Sequence, residues 1–374
     1  MVKLIALLSC LGFSVNSYAD DGKSVVFAGA QYPLKITLSP GEKPGGVIYE
    51  SALSEPMRFG YDTVLMQGEM PDPGIKLEIW VKSRSIFKDY DRYRENVFKR
   101  FPNGRFWARF AVAATKQPLK LVIRSDGTKA VHIFTVYEFE AISEASLKEP
   151  IDPAAPPVDL QDDPTFSIAQ DVPFAVIRRE AWAAAPPKEP YIRHAPRLFT
   201  LHHTAGRYPK NYGEAVSEIQ FIQDYHQNGR GWIDIGYHFL IDPQGNILEG
   251  RPMHAVGAHV LNRNTGNIGI SFMGNYHPPA SDEPDQKALD SFTRVGSYIK
   301  DNYSITVSSF YAHREIGATD CPGDLLYARL PALKEMIFPQ AAAAEIMDFN
   351  SYFWEPPAPA EGPPAFRQLR KIGN

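Results

Sequence analysis

Two histidines and one cysteine are the residues of this chain best suited to chemistry. His202 ends the run LFTLH, His313 ends the run SFYAH, and Cys321 follows His313 by eight positions, just before a Pro-Gly pair. Two imidazoles and a thiolate match the donor set of zinc. Three protein donors leave a fourth position open, the arrangement of catalytic zinc sites, whereas structural sites usually close with four. Spacing alone does not separate this set from a chance His-x7-Cys pair, and a buried inert thiol is the plainer account of Cys321. The only other cysteine is Cys10, in MVKLIALLSCLGFSVNSYAD. There Lys3 precedes a short apolar stretch, Leu4 to Val15, and Ser17-Tyr18-Ala19 fits the small-x-small cleavage rule. Residues 1–19 therefore read as an export leader, too short in its apolar part for a span of about 20 residues. Its removal leaves one cysteine in a compartment that favours pairs, and that thiol then needs a partner other than a second thiol.

These three residues lie in the second of two regions. The chain has 374 residues, 44% hydrophobic and 22% charged, enough for two cored domains. A formal net charge of −4 gives no basic field for nucleic acid. Residues 20–145 are β-rich. KLEIWVK (Lys76–Lys82), RFWARFAVA (Arg105–Ala113), KLVIR (Lys120–Arg124) and AVHIFTVYEFEAI (Ala130–Ile142) are β-branched and aromatic runs. The last two flank Ser125-Asp126-Gly127-Thr128 and read as a hairpin. The pattern predicts a separate all-β, sandwich-like domain, or else an open sheet packed on one helix over Asp91–Arg100. Residues 146–173 are rich in Pro and Asp and read as a semi-rigid linker. Residues 174–339 mix strand runs with helical stripes. The helices are expected at about Tyr212–Gln227, 284–301 and Asp324–Ile337, with a hairpin over Ile235–Gly250, giving an α/β domain with a central mixed sheet covered by helices. Residues 340–374 form an Ala/Pro-rich tail.

Four motifs occur in order: LFTLHHTAG, IGYHFLIDPQGNILEGRP, GAHVLNRNTGNIGISFMGNY and HREIGATDCPGD. Together they resemble the type-2 N-acetylmuramoyl-L-alanine amidases and the related peptidoglycan recognition proteins. The opening IRREAWAAAPP resembles the family's Arg-x-x-Trp start, with Ala183 where glycine is common. The resemblance covers roughly 177–338. It implies zinc held by His202, His313 and Cys321, a catalytic tyrosine at Tyr237, and Thr319 at a position where family amidases carry Lys or Thr. Members that only bind usually lack the cysteine, and this chain keeps it. His259 matches the family's Gly-Ala-His pattern near the substrate cleft. His203 is a second contact around the metal, a substrate contact or a packed histidine, and Arg251 is a carboxylate-binding fork or an ordinary surface residue. Glu315 is near in sequence as a proton donor or as a solvated charge.

The function so implied is zinc-dependent hydrolysis of the amide between N-acetylmuramic acid and L-alanine in peptidoglycan, by an exported protein, periplasmic or secreted, with no membrane span. The alternatives are a non-catalytic muropeptide receptor and a zinc peptidase cutting within the stem peptide. The N-terminal domain is expected to bind glycan or a partner protein, or to cover the cleft. Trp80, Trp107 and Tyr90 are its stacking candidates, with core packing the ordinary role for the tryptophans.

Overall fold

β-Branched and aromatic runs form strands where the sequence places them, but their pairing differs in two places from the expectation. The structure, a computed structural model, describes residues 24–39, 44–125, 127, 132–147 and 172–339. The leader, nearly all of the linker, the tail and Asp126 and Thr128 of the Ser125–Thr128 turn lie outside the described residues.

In the N-terminal region the strands are β1 (Leu34–Leu38), β2 (Val47–Glu50), β3 (Tyr61–Glu69), β4 (Lys76–Lys82), β5 (Tyr90–Arg94), β6 (Val97–Arg100), β7 (Arg105–Thr115), β8 (Leu119–Arg124) and β9 (His132–Ile142). They build two antiparallel sheets, ordered β1-β9-β3-β7-β6 and β2-β8-β4-β5. The expected β8–β9 hairpin is not formed. Leu119, Leu121 and Ile123 of β8 and Phe134 and Val136 of β9 enter one shared core from different sheets. The chain therefore crosses between sheets here instead of folding back. No helix occupies Asp91–Arg100: β5 and β6 fill it. Their backbone groups pair with β4 and β7, while Tyr93 packs on the core and Phe98 sits 6.1 Å from Phe106.

The second region contains β10 (Leu198–His203), α1 (Tyr212–Asp224), β11 (Phe239–Ile241), β12 (Ile247–Glu249), β13 (Asn267–Phe272), α2 (Gln286–Tyr303), β14 (Phe310–Ala312), α3 (His313–Ile316), α4 (Asp324–Tyr327) and α5 (Leu330–Ile337). The sheet runs β12-β11-β13-β10-β14 and is parallel except for the β11–β12 hairpin. Every residue of β13 is buried, as expected of a strand covered on both faces. Phe239 and Ile241 point to the core shared with α2 and α5, while Leu240 points to the core shared with α1. Asn211 caps α1 through Oδ1, which accepts from Glu214 N–H at 3.0 Å. That helix gives way to a wider π turn over Tyr225–Gly229. The expected single helix over Asp324–Ile337 splits at Ala328–Arg329, and Pro331 sits in the first turn of α5, where its missing N–H is harmless. Among the described residues, no helix is long and apolar enough to cross a membrane.

The two regions are joined through β7 and β9. Along β7, Phe106, Ala108 and Phe110 enter the β core. The alternate residues Arg105 and Trp107 are also buried, and Trp107 belongs to the cluster built around α1. Arg105 Nε donates to Glu218 Oε2 at 2.9 Å with both side chains at or below 1% exposure, and its guanidinium lies 3.8 Å from the Phe221 ring centre. Trp107 Nε1 donates to Asp224 Oδ1 at 2.8 Å. On β9 a register shift opposite Gln67 and Gly68 resets the alternation, so Phe139 and Ala141 stay in the core while Glu138 and Glu140 face the segment that follows α1. Arg230 pairs with both carboxylates, Tyr225 Oη donates to Glu138 at 2.6 Å, and Arg207 donates to Glu69 at 2.6 Å. Trp80 packs with Glu78 and Arg92. Both tryptophans are thus packing residues.

Candidate metal centre and cleft

Parallel pairing brings the two candidate histidines together. β10 lies beside β14 with Leu201 opposite Ala312, and the next residue on each segment is a histidine. His202 and His313 have ring centres 4.6 Å apart. His313 opens α3 and does not end the strand. Cys321 is brought back by a tight loop. Arg314 N–H donates to Cys321 O at 2.9 Å, and Cys321 N–H donates to Thr319 Oγ1 at 3.1 Å. The loop leaves through Gly323, whose φ of +89° and tight seat exclude a side chain: a Cβ there would lie 2.4 Å from the Tyr276 carbonyl carbon. One donor atom from each of His202, His313 and Cys321 lies within 4.8 Å of the others, and all three residues are buried.

Hydrogen bonding fixes which nitrogen of His202 is available. His259 Nε2 lies 3.1 Å from Asn267 O, and a carbonyl only accepts, so that nitrogen carries the proton. His259 Nδ1 then accepts from His202 Nε2–H at 3.0 Å. The lone pair of His202 Nδ1 is left on the side of Cys321 Sγ, 3.6 Å away. Gly269 makes room for this relay, since a Cβ there would sit 2.7 Å from the His259 ring.

Burial, then the neighbouring imidazoles, pushes His202 well below its ordinary value. Burial takes His313 down to about 4 and the Cys321 thiol up to about 12. All three are therefore neutral at pH 7 without a cation, and His313 Nδ1 is buried without a hydrogen-bond partner. A positive ion would reverse the thiol's preference and satisfy that nitrogen. Two imidazoles and one thiol, gathered and uncharged, fit zinc.

Tyr237 is half-buried, with its ring 5.4 Å from that of His202. Burial raises the pKa of its hydroxyl, aided by Cys321 and Glu138, so it remains a proton donor at neutral pH. Tyr237, His203, His259 and Cys321 line one cavity of about 160 Å³. His203 donates its N–H toward Cys321 Sγ at 3.4 Å, and its Nδ1 accepts from Tyr276 N–H at 3.3 Å. Arg251 is fully buried and donates to the carbonyls of Ile235, Val256 and Asp234. The structure gives it neither of the places expected from sequence: it braces the loop before Tyr237 and lines no part of this cavity. Glu315 Oε2 accepts from Ala312 N–H at 2.8 Å and caps α3. His238 is held at both ring nitrogens, by Gly269 N–H and Ala255 O. Trp182 donates to Glu249 O from a buried position.

Sequence reasoning missed Glu138, Arg230 and Leu147, which line the same cavity. The one available signal was the placement of Arg105 and Trp107 on the strand face opposite a strongly apolar alternation.

The sequence profile of the N-acetylmuramoyl-L-alanine amidase family matches residues 192–324. Peptidoglycan-recognition protein SC2 of Drosophila melanogaster is 38% identical over 123 residues, which cover 33% of this chain and 66% of that protein. The chain thus spans just under two thirds of that relative. Peptidoglycan recognition protein 1 of Bos indicus is 36% identical over 158 residues, covering 41% of this chain and 80% of the relative. The N-acetylmuramoyl-L-alanine amidase of Homo sapiens is 32% identical over 161 residues, covering 41% and 27% respectively. The family profile leaves the N-terminal β region uncovered.

Proposed function

Because the chain belongs to the N-acetylmuramoyl-L-alanine amidase and peptidoglycan-recognition family, we propose that it is a zinc amidase cutting the bond between N-acetylmuramic acid and L-alanine in peptidoglycan. The observation that carries this reading is the complete donor set, His202, His313 and Cys321, gathered beside Tyr237 at one cavity. A zinc ion held there would polarise the substrate carbonyl and lower the pKa of a bound water to about 7. The remaining work falls to the chain. His259 holds His202 in the tautomer that offers Nδ1. Thr319 braces the Cys321 loop, its Oγ1 accepting from Cys321 N–H. Tyr237 keeps its proton and donates it as a hydrogen bond to the oxyanion that develops on the carbonyl. His203, on the cavity wall, is positioned to contact substrate. Export to the periplasm or medium goes with a cell-wall substrate. The two N-terminal sheets sharing one core support a sandwich-like accessory domain.

The test is mass spectrometry of peptidoglycan fragments after incubation with the zinc-loaded protein, with Cys321→Ser alongside. Stem peptides beginning at L-alanine, absent with the variant, are expected. Cleavage within the stem would mark a peptidase. Intact fragments with retained binding would mark a receptor.

A further inference from the structure

The cavity beside the donor set is not built by the amidase region alone. Glu138, Ile142 and Leu147 of the β region line it together with His203, Tyr237 and Cys321. This wall is braced. Glu138 Oε1 accepts from Tyr225 Oη and Arg230, and its Oε2 accepts from Gln67 Nε2 at 3.3 Å. Ile142 and Leu147 form a small buried cluster with Leu65 of β3. The buried Arg105–Glu218 pair lines the same cavity, and Trp107 is tied to Asp224; separating either from its partner would leave a charge or an indole N–H unsatisfied. A surface fixed in this way does not swing aside as substrate enters.

We propose that the β region is a fixed wall of the substrate cleft, and that it restricts the enzyme to muropeptides whose stem peptide ends free. The inference rests on the amidase reading above. A free stem needs only its own width along the wall. A cross-linked stem carries a second peptide as a branch, and a branch leaving on the side of the β region would meet Ile142 and Leu147, which line the cavity there. The wall contributes no unpaired charge, since Glu138 and Glu140 are paired with Arg230 and Arg105 with Glu218. Its effect is exclusion by shape.

The experiment compares a soluble muropeptide monomer with a soluble cross-linked dimer of the same stem. Turnover is followed by chromatography, and binding by calorimetry on the zinc-loaded full chain. The native protein should favour the monomer by about tenfold or more in kcat/KM. Leu147→Ala, which trims the wall, should lower that ratio. Ser146→Trp, at an exposed position on the cavity rim, should raise it without disturbing the fold. Equal turnover of monomer and dimer by the native protein overturns the proposal, as does a ratio that neither variant moves. If neither substrate is cut, the amidase reading fails on its own. Calorimetry then decides the wall: tighter binding of the monomer upholds it, and equal binding overturns it.

Discussion

Two buried polar clusters lie on the same side of the C-terminal sheet and solve burial in opposite ways. At the interface, Arg105 meets Glu218, and Arg230 meets Glu138 and Glu140, so each charge has its opposite from the other region. At the donor set, His202, His313 and Cys321 are neutral, and His313 Nδ1 has no hydrogen-bond partner. The first cluster is charge-paired within the chain, although Glu218 Oε1 is left without a hydrogen-bond partner, and it serves cohesion. The second gathers three donors that could hold a metal ion. Buried ionisable groups therefore do not by themselves mark a site; the convergence of uncharged metal-donor atoms from three residues is what sets the second cluster apart.

Breaking the compensated cluster should have the largest effect on stability. Arg105→Met leaves Glu218 buried and unpaired and should cost about 3–5 kcal/mol in urea unfolding, whereas Arg105→Met combined with Glu218→Leu should recover most of that loss. Zinc content should be unchanged in both. A double variant as unstable as the single one would mean that shape, and not charge pairing, holds the interface.

Breaking the site should leave stability alone. Tyr237→Phe is expected to lower kcat by about 10²–10³ with zinc content and unfolding midpoint preserved. A similar loss of zinc would instead place Tyr237 among the residues that hold the metal.

Acid should separate the two clusters. Burial holds His194 down at about 4 in the folded chain, against 6.5 when unfolded. Between those values the unfolded state takes up a proton that the folded state refuses, so stability falls as pH drops, by up to about 1.4 kcal/mol per pH unit for that histidine. Burial also holds His226 and His238 well below 6.5, and both act in the same direction. The interface carboxylate Glu69 behaves otherwise. Burial works against its charge, but Arg207 outweighs burial and lowers its pKa, so its contribution persists until pH falls below the ordinary carboxylate value of 4.5. Urea unfolding of chelator-treated protein should therefore show stability already declining between about pH 6.5 and 5, and His194→Gln should flatten that slope.

The smallest expected effect concerns Ala183, which caps its turn at φ +55° and ψ +47°. Ala183→Gly should stabilise the protein by about 0.5–1 kcal/mol, since a Cβ is strained in the left-handed region. A loss of stability there would mean that the methyl group's packing outweighs its strain.

The donor set was legible in the sequence through the ordered motifs that carry the family resemblance, with His202 and His313 at the ends of apolar strand runs and Cys321 in the loop that follows. Parallel pairing of those runs then does the assembly. The interface was not legible. Arg105 and Glu218 stand 113 positions apart, and neither type differs on its face from a solvated charge. Arg251 shows the limit from the other side. Its planar fork suits a carboxylate, yet here it is satisfied by three backbone carbonyls, an outcome set by loop geometry that residue type does not encode. The missing β8–β9 hairpin has a similar cause. Alternation fixes which side chains turn inward but not which sheet a strand joins.

Strand β7 belongs to two cores at once. Its even-numbered residues from Phe106 to Phe110 answer to the β region, and Arg105 and Trp107 answer to α1. Tolerance to substitution along the start of this strand should therefore alternate between two unrelated histories, one shared with its own sheet and the other with a helix encoded far downstream. In hereditary terms, Arg105 and Trp107 are residues of the amidase region written into the other half of the gene.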